Sequence, residues 1–191
     1  PLPGAILTRI AQSHLRVGTF EFAATRGPDT VKNLLDYAIS RHAPELLDAK
    51  TPALSFFNHV MTLQIDLIVN WMRVGFIHGV MNTDNMSISG ETIDYGPCAF
   101  MNQYHPDTVY SYIDEMGRYA FKNQSGIAQW NLARFAEALL PHFDQDNHTA
   151  IDMANEVLES YTPRYQEKWS EMMGSKLGLS NIVEEDDTLI S

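Results

Sequence analysis

Residues 53–76 constrain the fold of this chain most strongly, because apolar side chains recur there every three or four positions. The positions that share this spacing are Phe57, Val60, Met61, Gln64, Ile65, Ile68, Trp71, Met72 and Gly75. The opposite face of the stretch is partly apolar as well. A helix of this kind is largely surrounded by protein. The sequence therefore predicts a central, buried helix around which the rest of the domain packs.

Further helices are predicted on both sides of this central one. They cover residues 29–42, 106–118, 125–141 and 148–174, the last as a helix pair or as one helix broken at Pro163. Residues 5–10 and 15–24 are too short to classify as strand or helix. The acidic residues 183–191 are compatible with the start of one more helix.

A small β element is predicted between the central helix and the next one. Ile88 and Ile93 flank a Ser-Gly-Glu turn, which is typical of a short hairpin. The fold class that follows is mainly α with this one hairpin. The hairpin lies within a polar stretch, residues 78–97, that comes directly after the central helix.

Charge and composition exclude several classes of function. The formal net charge of −11, with only 13 Lys and Arg residues, leaves no basic surface for a nucleic-acid partner. No apolar run reaches the length of about 18–20 residues that spans a bilayer, so no membrane partner is expected. The one cysteine, Cys98, excludes an internal disulfide and is expected to be a buried free thiol.

The polar stretch contains the residues suited to phosphate chemistry. Transfer of a phosphoryl or nucleotidyl group needs a divalent metal, an acceptor for the proton of the attacking hydroxyl, and cations that cover the departing phosphates. Asn85 and Asp94 offer the hard oxygen ligands that Mg²⁺ prefers. Asp84, beside Asn85, is the candidate proton acceptor.

The spacing of these residues matches a protein-kinase pattern with one departure. His78 and Asn85 have the spacing of the first and last residues of H-R-D-L-x-x-x-N, and Asp94-Tyr95-Gly96 resembles D-F-G. Val80 stands where a kinase has its catalytic aspartate, so an ordinary kinase mechanism is excluded and Asp84 is the nearby replacement. His78 is expected to brace the loop rather than to act in catalysis.

A longer resemblance follows from three quoted stretches. They are "GAILTRIAQSHLRVGTFEF" near the start, "WMRVGFIHGVMNTDNMSISGETIDYGPCAFM" from Trp71 to Met101, and "GRYAFKNQSGIAQWNLARFAEALLP" up to Pro141. Together they resemble the selenoprotein O family of kinase-like proteins, also called the YdiU group, over most of the chain. The family departs from kinases in the same way, at the position of Val80.

The resemblance implies a protein adenylyltransferase, which transfers AMP from ATP to Ser, Thr or Tyr hydroxyls of other proteins. It implies Asp84 as the base, Asn85 and Asp94 as ligands of Mg²⁺ (or Mn²⁺), and Asp94 at the nucleotide. It also implies that Arg9 and Arg16 hold the far phosphates, a role suited to guanidinium groups. The family's nucleotide is inverted relative to kinases. The resemblance further implies that this protein is cytoplasmic if it is bacterial, and mitochondrial if it is eukaryotic.

The same resemblance predicts that residues 1–191 form the C-lobe portion of a longer kinase-like protein, with the other lobe before residue 1 and further chain after Ser191. Such a portion is expected to bind nucleotide weakly on its own. Two alternatives stay open at this point. One is a phosphotransferase that moves the γ-phosphate of ATP, and the other is a non-catalytic helical unit.

Overall fold

The computed structural model describes residues 4–179, so the helix expected within residues 183–191 lies outside the described part of the chain. The α-helices are α1 (Val17–Ala24), α2 (Pro28–His42), α3 (Pro52–Val74), α4 (Gln124–Leu139), α5 (Asn147–Glu159) and α6 (Tyr161–Leu177). The strands are β1 (Phe76–Ile77) and β2 (Ala99–Phe100), and short 3-10 turns cover Pro44–Leu46, Thr83–Asn85, Phe121–Asn123 and Leu140–His142. The mainly α prediction is confirmed.

Helix α3 is the buried central helix that its spacing predicted. It begins with Pro52 in its first turn, where the missing amide costs nothing, and it ends at Gly75, which adopts the left-handed conformation with φ of 69°. Ten of its side chains are buried, including that of Gln64. The other helices pack around it.

An aromatic cluster joins α3 to α1 and α4. The Phe135 ring of α4 lies 4.9 Å from that of Phe20 on α1, and 6.0 and 6.4 Å from those of Phe57 and Phe56 on α3, all edge-on or nearly so. Edge-to-face pairs of this kind contribute about 0.5–1.5 kcal/mol each beyond the area they bury. Of the residues 15–24 that the sequence leaves unclassified, 17–24 thus form a helix, because tertiary packing holds their apolar side chains.

The predicted hairpin around Ile88 and Ile93 is wrong. The strands that do pair are β1 and β2, antiparallel, with Phe76 opposite Phe100 and Ile77 opposite Ala99. Ile88 instead donates its amide to the Leu15 carbonyl at 3.1 Å, and Met86 accepts the amide of Val17 at 3.0 Å. Residues 78–98 therefore connect β1 to β2, and the middle of this segment is hydrogen-bonded to residues at the start of α1.

The predicted helix at 106–118 is also wrong, because these residues form consecutive turns. The Asp114 carboxylate accepts the amides of Arg118 and Tyr119, both at 2.8 Å, which fixes a turn in place of a helix. Tyr112 and Met116 are almost fully exposed, so no apolar face would hold a helix here.

The C-terminal helices confirm the helix pair and refine its break. Ser160 separates α5 from α6, and Pro163 lies in the first turn of α6, where proline is tolerated. Cys98 is half-buried rather than buried. Among residues 4–179, none of the helices combines the length and the apolar character needed to cross a membrane.

Candidate functional site

Three buried side-chain amides from the helices hold the backbone of the polar stretch. Gln124 of α4 accepts the His78 amide at 3.0 Å and donates to the Phe76 carbonyl at 2.9 Å. Asn131 of α4 donates to the Met81 carbonyl at 2.9 Å, and Gln64 of α3 donates to the Ser87 carbonyl at 2.6 Å. The stretch is irregular, but the core satisfies its backbone groups at His78, Met81 and Ser87, which holds it in place.

His78 braces the loop, as expected. Its fully buried ring stacks on Trp71 with centroids 5.4 Å apart, and its Nε2 lies 2.7 Å from the Ile93 carbonyl oxygen. The carbonyl requires a hydrogen on Nε2, so Nδ1 is the acceptor for the amide of Val80 at 3.4 Å. Burial lowers the pKa of His78, which favours the neutral ring. Through the Ile93 carbonyl, this ring supports the backbone immediately before Asp94.

Asp94 is the electrostatic centre of the site. It adopts the left-handed conformation with φ of 58°, which aspartate tolerates better than most residues. Its Oδ2 accepts from Arg16 at 2.9 Å, and its Oδ1 accepts from Arg9. The hydrogen bond from Arg16 is the main cause that holds the pKa of the Asp94 carboxyl below its ordinary value; burial opposes it, and the hydrogen bond from Arg9 adds to the lowering.

A cleft of about 860 Å³ lies beside this carboxylate. Its lining residues are Leu7, Thr8, Arg9, Ile10, Val80, Asn85, Asp94, Tyr95, Gly96 and Pro97. Asn85, in the 3-10 turn, donates its Nδ2 hydrogen to the Val80 carbonyl at 2.9 Å. Because that bond fixes the amide nitrogen, the Oδ1 oxygen is the group that Asn85 can offer to a cation.

The predicted residues are not all in the cleft. Arg9, Asn85 and Asp94 line it, and Arg16 joins them through its ion pair with Asp94. Asp84 is not among the lining residues. It belongs to the same 3-10 turn as Asn85, and its carboxylate lies against Gly18 in the first turn of α1.

The oxygen donors decide how a metal would fit. Within residues 4–179, no three His, Cys, Asp or Glu side chains come together as a metal cluster. This includes the His142–His148 region, where Asp146 caps α5 by accepting the Thr149 amide at 2.8 Å. A site made of one carboxylate and one amide oxygen leaves most coordination positions to water or phosphate, which suits Mg²⁺.

A family model described as protein adenylyltransferase SelO matches residues 1–191. The chain belongs to the SelO family. The selenoprotein O resemblance seen in the sequence is thereby confirmed. Val80, which separates this loop from the kinase pattern, lines the cleft of this SelO family member beside Asn85 and Asp94.

Relatives named protein nucleotidyltransferase YdiU agree with the SelO assignment. The chain is 57% identical over 191 residues to the one from Alcanivorax borkumensis, which covers 100% of this chain and 40% of the relative. It is 57% identical over 191 residues to that of Nitrosococcus oceani, covering 100% and 39%. It is 58% identical over 189 residues to that of Cereibacter sphaeroides, covering 98% and 39%. The chain thus spans about two fifths of the length of these relatives.

Four residues that support the candidate site give no clear sign in the sequence. In the sequence, Gln124 and Asn131 resemble the other polar positions of α4, and Gln64 stands out only through its place in the α3 spacing. The available signal was a polar residue at a position that the helical period places in the core. Gly18 gave no signal, because the space it leaves depends on where Asp84 lies.

Proposed function

We propose that this chain carries the nucleotide-transfer site of a protein adenylyltransferase, which moves AMP from ATP to a Ser, Thr or Tyr hydroxyl of a target protein. The observation that carries the proposal is the Asp94 carboxylate between the Arg9 and Arg16 guanidinium groups, at a cleft that Asn85 also lines. Cations and hard oxygen donors in one cleft suit a metal–polyphosphate ligand. The names of the family and of the relatives support the same class of reaction.

The metal in this proposal is Mg²⁺, with Mn²⁺ as an alternative, held by Asn85 Oδ1 and an oxygen of Asp94. When bound, it would neutralise the negative charge of the phosphates. The remaining ligands would come from water and the nucleotide, in keeping with the small number of protein oxygens at the cleft.

Arg9 and Arg16 would bind the far phosphates and stabilise the leaving pyrophosphate. Both guanidinium groups pair with Asp94, and all three side chains are partly exposed. Ion pairs with this exposure contribute little, typically about 0–1 kcal/mol. Exchanging part of the Asp94 pairing for phosphate oxygens therefore costs little, and the planar guanidinium matches the geometry of a phosphate.

Asp84 would accept the proton of the target hydroxyl. The hydroxyl oxygen bonds to the α-phosphorus. The bond from that phosphorus to the oxygen shared with the β-phosphate breaks, and pyrophosphate leaves with the electron pair. Val80 has no group that can take the proton, and Asp84 is the acid next to Asn85. Its place outside the cleft lining suits an acceptor that faces the target rather than the nucleotide.

We extend the proposal to the architecture. The helices with the intervening polar loop would form the C-lobe of a kinase-like fold, and ATP would bind between this lobe and a second one. Among the residues that the structure describes, those at 7–10, 80, 85 and 94–97 line this open cleft, which is compatible with a site completed by other protein.

The test uses a full-length hybrid in which these 191 residues replace the matching segment of the Alcanivorax borkumensis relative. Transfer of AMP to protein is followed with α-labelled ATP. Asp84→Asn is expected to lower the rate by about 10²–10⁴-fold, the usual contribution of general base catalysis. Asp107→Asn is the matched control, since Asp107 pairs with Lys122 away from the cleft. Transfer at the unaltered rate in Asp84→Asn would contradict the assigned role.

A further inference from the structure

We propose that Gly18 is a positioning residue for Asp84. The absence of a side chain at Gly18 leaves the space in which the Asp84 carboxylate lies against the first turn of α1. This inference rests on the proposed function, in which Asp84 accepts the proton of the target hydroxyl. Gly18 would touch neither substrate and would act through Asp84.

The distances show how closely the two residues approach. A methyl group on the Gly18 Cα would lie 2.3 Å from Asp84 Oδ1, 3.2 Å from its Cγ and 3.3 Å from its backbone nitrogen. The first distance is far inside van der Waals contact. The carboxylate thus occupies the volume that any other residue at position 18 would fill.

The backbone at position 18 gives no other reason for glycine. Gly18 lies inside α1 and outside the left-handed region, unlike Gly75 or Gly79. In a helix, glycine is less favourable than alanine because it loses more conformational freedom on folding. The close approach of Asp84 is the feature that accounts for glycine here.

Two backbone hydrogen bonds next to the contact hold the start of α1 against the loop. The Val17 amide donates to the Met86 carbonyl at 3.0 Å, and the Ile88 amide donates to the Leu15 carbonyl at 3.1 Å. By contrast, none of the ion pairs within residues 4–179 holds the Asp84 carboxylate. A methyl group at position 18 would therefore displace the Asp84 side chain and also require a small shift of the Asp84 backbone nitrogen, which would lie only 3.3 Å away.

The consequence is a substitution that leaves the fold intact and misplaces one carboxylate. Gly18→Ala is expected to change the thermal midpoint only slightly, because the better helix propensity of alanine is opposed by the small shift that the Asp84 backbone nitrogen requires. The matched control is Gly126→Ala, in the first turn of α4, where a methyl group meets nothing within 4 Å. Both variants add one methyl group to one helix, and only the first meets Asp84.

The first measurement uses the chain itself and needs no activity. In NMR spectra with ¹³C-labelled aspartate, Gly18→Ala is expected to shift the Asp84 carboxyl resonance, while the Val17 amide keeps its protection from hydrogen exchange. Gly126→Ala is expected to leave the Asp84 resonance unchanged. An unshifted Asp84 resonance in Gly18→Ala, or loss of Val17 protection, would overturn the proposal.

The second measurement uses the full-length hybrid. Gly18→Ala is expected to lower kcat for AMP transfer by about tenfold to a hundredfold, with KM for ATP unchanged, as a misplaced catalytic group would. Gly126→Ala is expected to keep the full rate. In the Asp84→Asn background, Gly18→Ala is expected to have no further effect, because its target is already removed.

The outcomes separate this inference from the function on which it rests. If Asp84→Asn is inactive and Gly18→Ala is fully active, the positioning role is wrong and the proposed function stands. If the two losses multiply in the double variant, Gly18 acts independently of Asp84 and the inference is overturned. If Asp84→Asn itself keeps full activity, the role of Asp84 in the proposed function fails first.

Discussion

At the scale of single residues, the Asp94 carboxylate accepts hydrogen bonds from two guanidinium groups although 27% of its side chain is exposed. Partly exposed ion pairs are screened by water and contribute little to folding. We therefore expect Asp94→Asn to change the free energy of unfolding of the chain by less than about 1 kcal/mol. Asparagine also tolerates the left-handed backbone at this position.

Urea denaturation of the chain measures this effect, and the same substitution in the full-length hybrid is expected to abolish AMP transfer. Arg134, which pairs with Glu137 on the exposed side of α4, provides the control through Glu137→Gln. A loss of stability well above that of Glu137→Gln would mean that Asp94 serves mainly to hold the fold together.

His78 gives a pH dependence with a definite sign. Its pKa is lowered in the folded chain because the ring is buried, whereas the pKa of the imidazole in the unfolded chain is about 6.5. The unfolded state therefore binds the proton first as the pH falls. The stability that the neutral ring contributes is complete above that unfolded value and is lost below it, down to the folded pKa.

We expect His78→Gln to flatten the loss of stability between about pH 7 and about pH 5, because glutamine cannot take up the proton. Thermal unfolding across this range measures the slope, and a constant offset from lost packing does not affect it. His148→Gln is the control, since His148 is exposed. An identical slope in wild type and His78→Gln would exclude His78 as the source.

At the scale of helices and strands, α1 reaches the site through its packing on α4. The fully buried Phe135 of α4 contacts Phe20 of α1 and the Phe56–Phe57 pair of α3. Phe135→Ala would leave a cavity where three helices meet, at a cost of about 3–5 kcal/mol. Urea unfolding measures it, and Phe135→Leu, which keeps most of the volume, should cost clearly less. Equal costs for the two variants would contradict a cost that grows with the volume of the cavity left behind.

How far the sequence predicts each element depends on how local its cause is. The central helix and residues 29–42 and 125–141 were predicted to within a few residues of α3, α2 and α4, since helical spacing and proline positions act locally. The false helix at 106–118 had a proline start but no buried face. The false hairpin at Ile88 and Ile93 had the right turn residues, but its backbone bonds go to residues 15–17.

In the candidate site, too, local features can be predicted from the sequence, whereas contacts between distant residues cannot. The spacing from His78 to Asp94 marks one loop, and in the structure both Asn85 and Asp94 line one cleft, although without the expected hairpin between them. The pairing of Arg9 and Arg16 with Asp94 joins residues far apart in sequence, which no local pattern encodes. The supporting amides of Gln64, Gln124 and Asn131 likewise depend on packing between elements that the sequence leaves unspecified.

At the scale of the whole molecule, a chain of net charge −11 concentrates two of its few arginines on one carboxylate beside an open cleft. The two guanidinium groups outweigh the single carboxylate in charge, and this local excess of positive charge favours the polyphosphate of the proposed function. The proposed reaction and the phosphotransferase alternative both use such a site. They differ in which phosphorus the target hydroxyl attacks.

The position of the label in the modified protein distinguishes them most directly. The full-length hybrid is incubated with Mg²⁺ and either α-labelled or γ-labelled ATP, alongside its Asp84→Asn variant. We expect protein to acquire label from α-labelled ATP only, and to acquire it in the hybrid and not in the variant. Label arriving from γ-labelled ATP alone would contradict adenylyl transfer and favour a phosphotransferase.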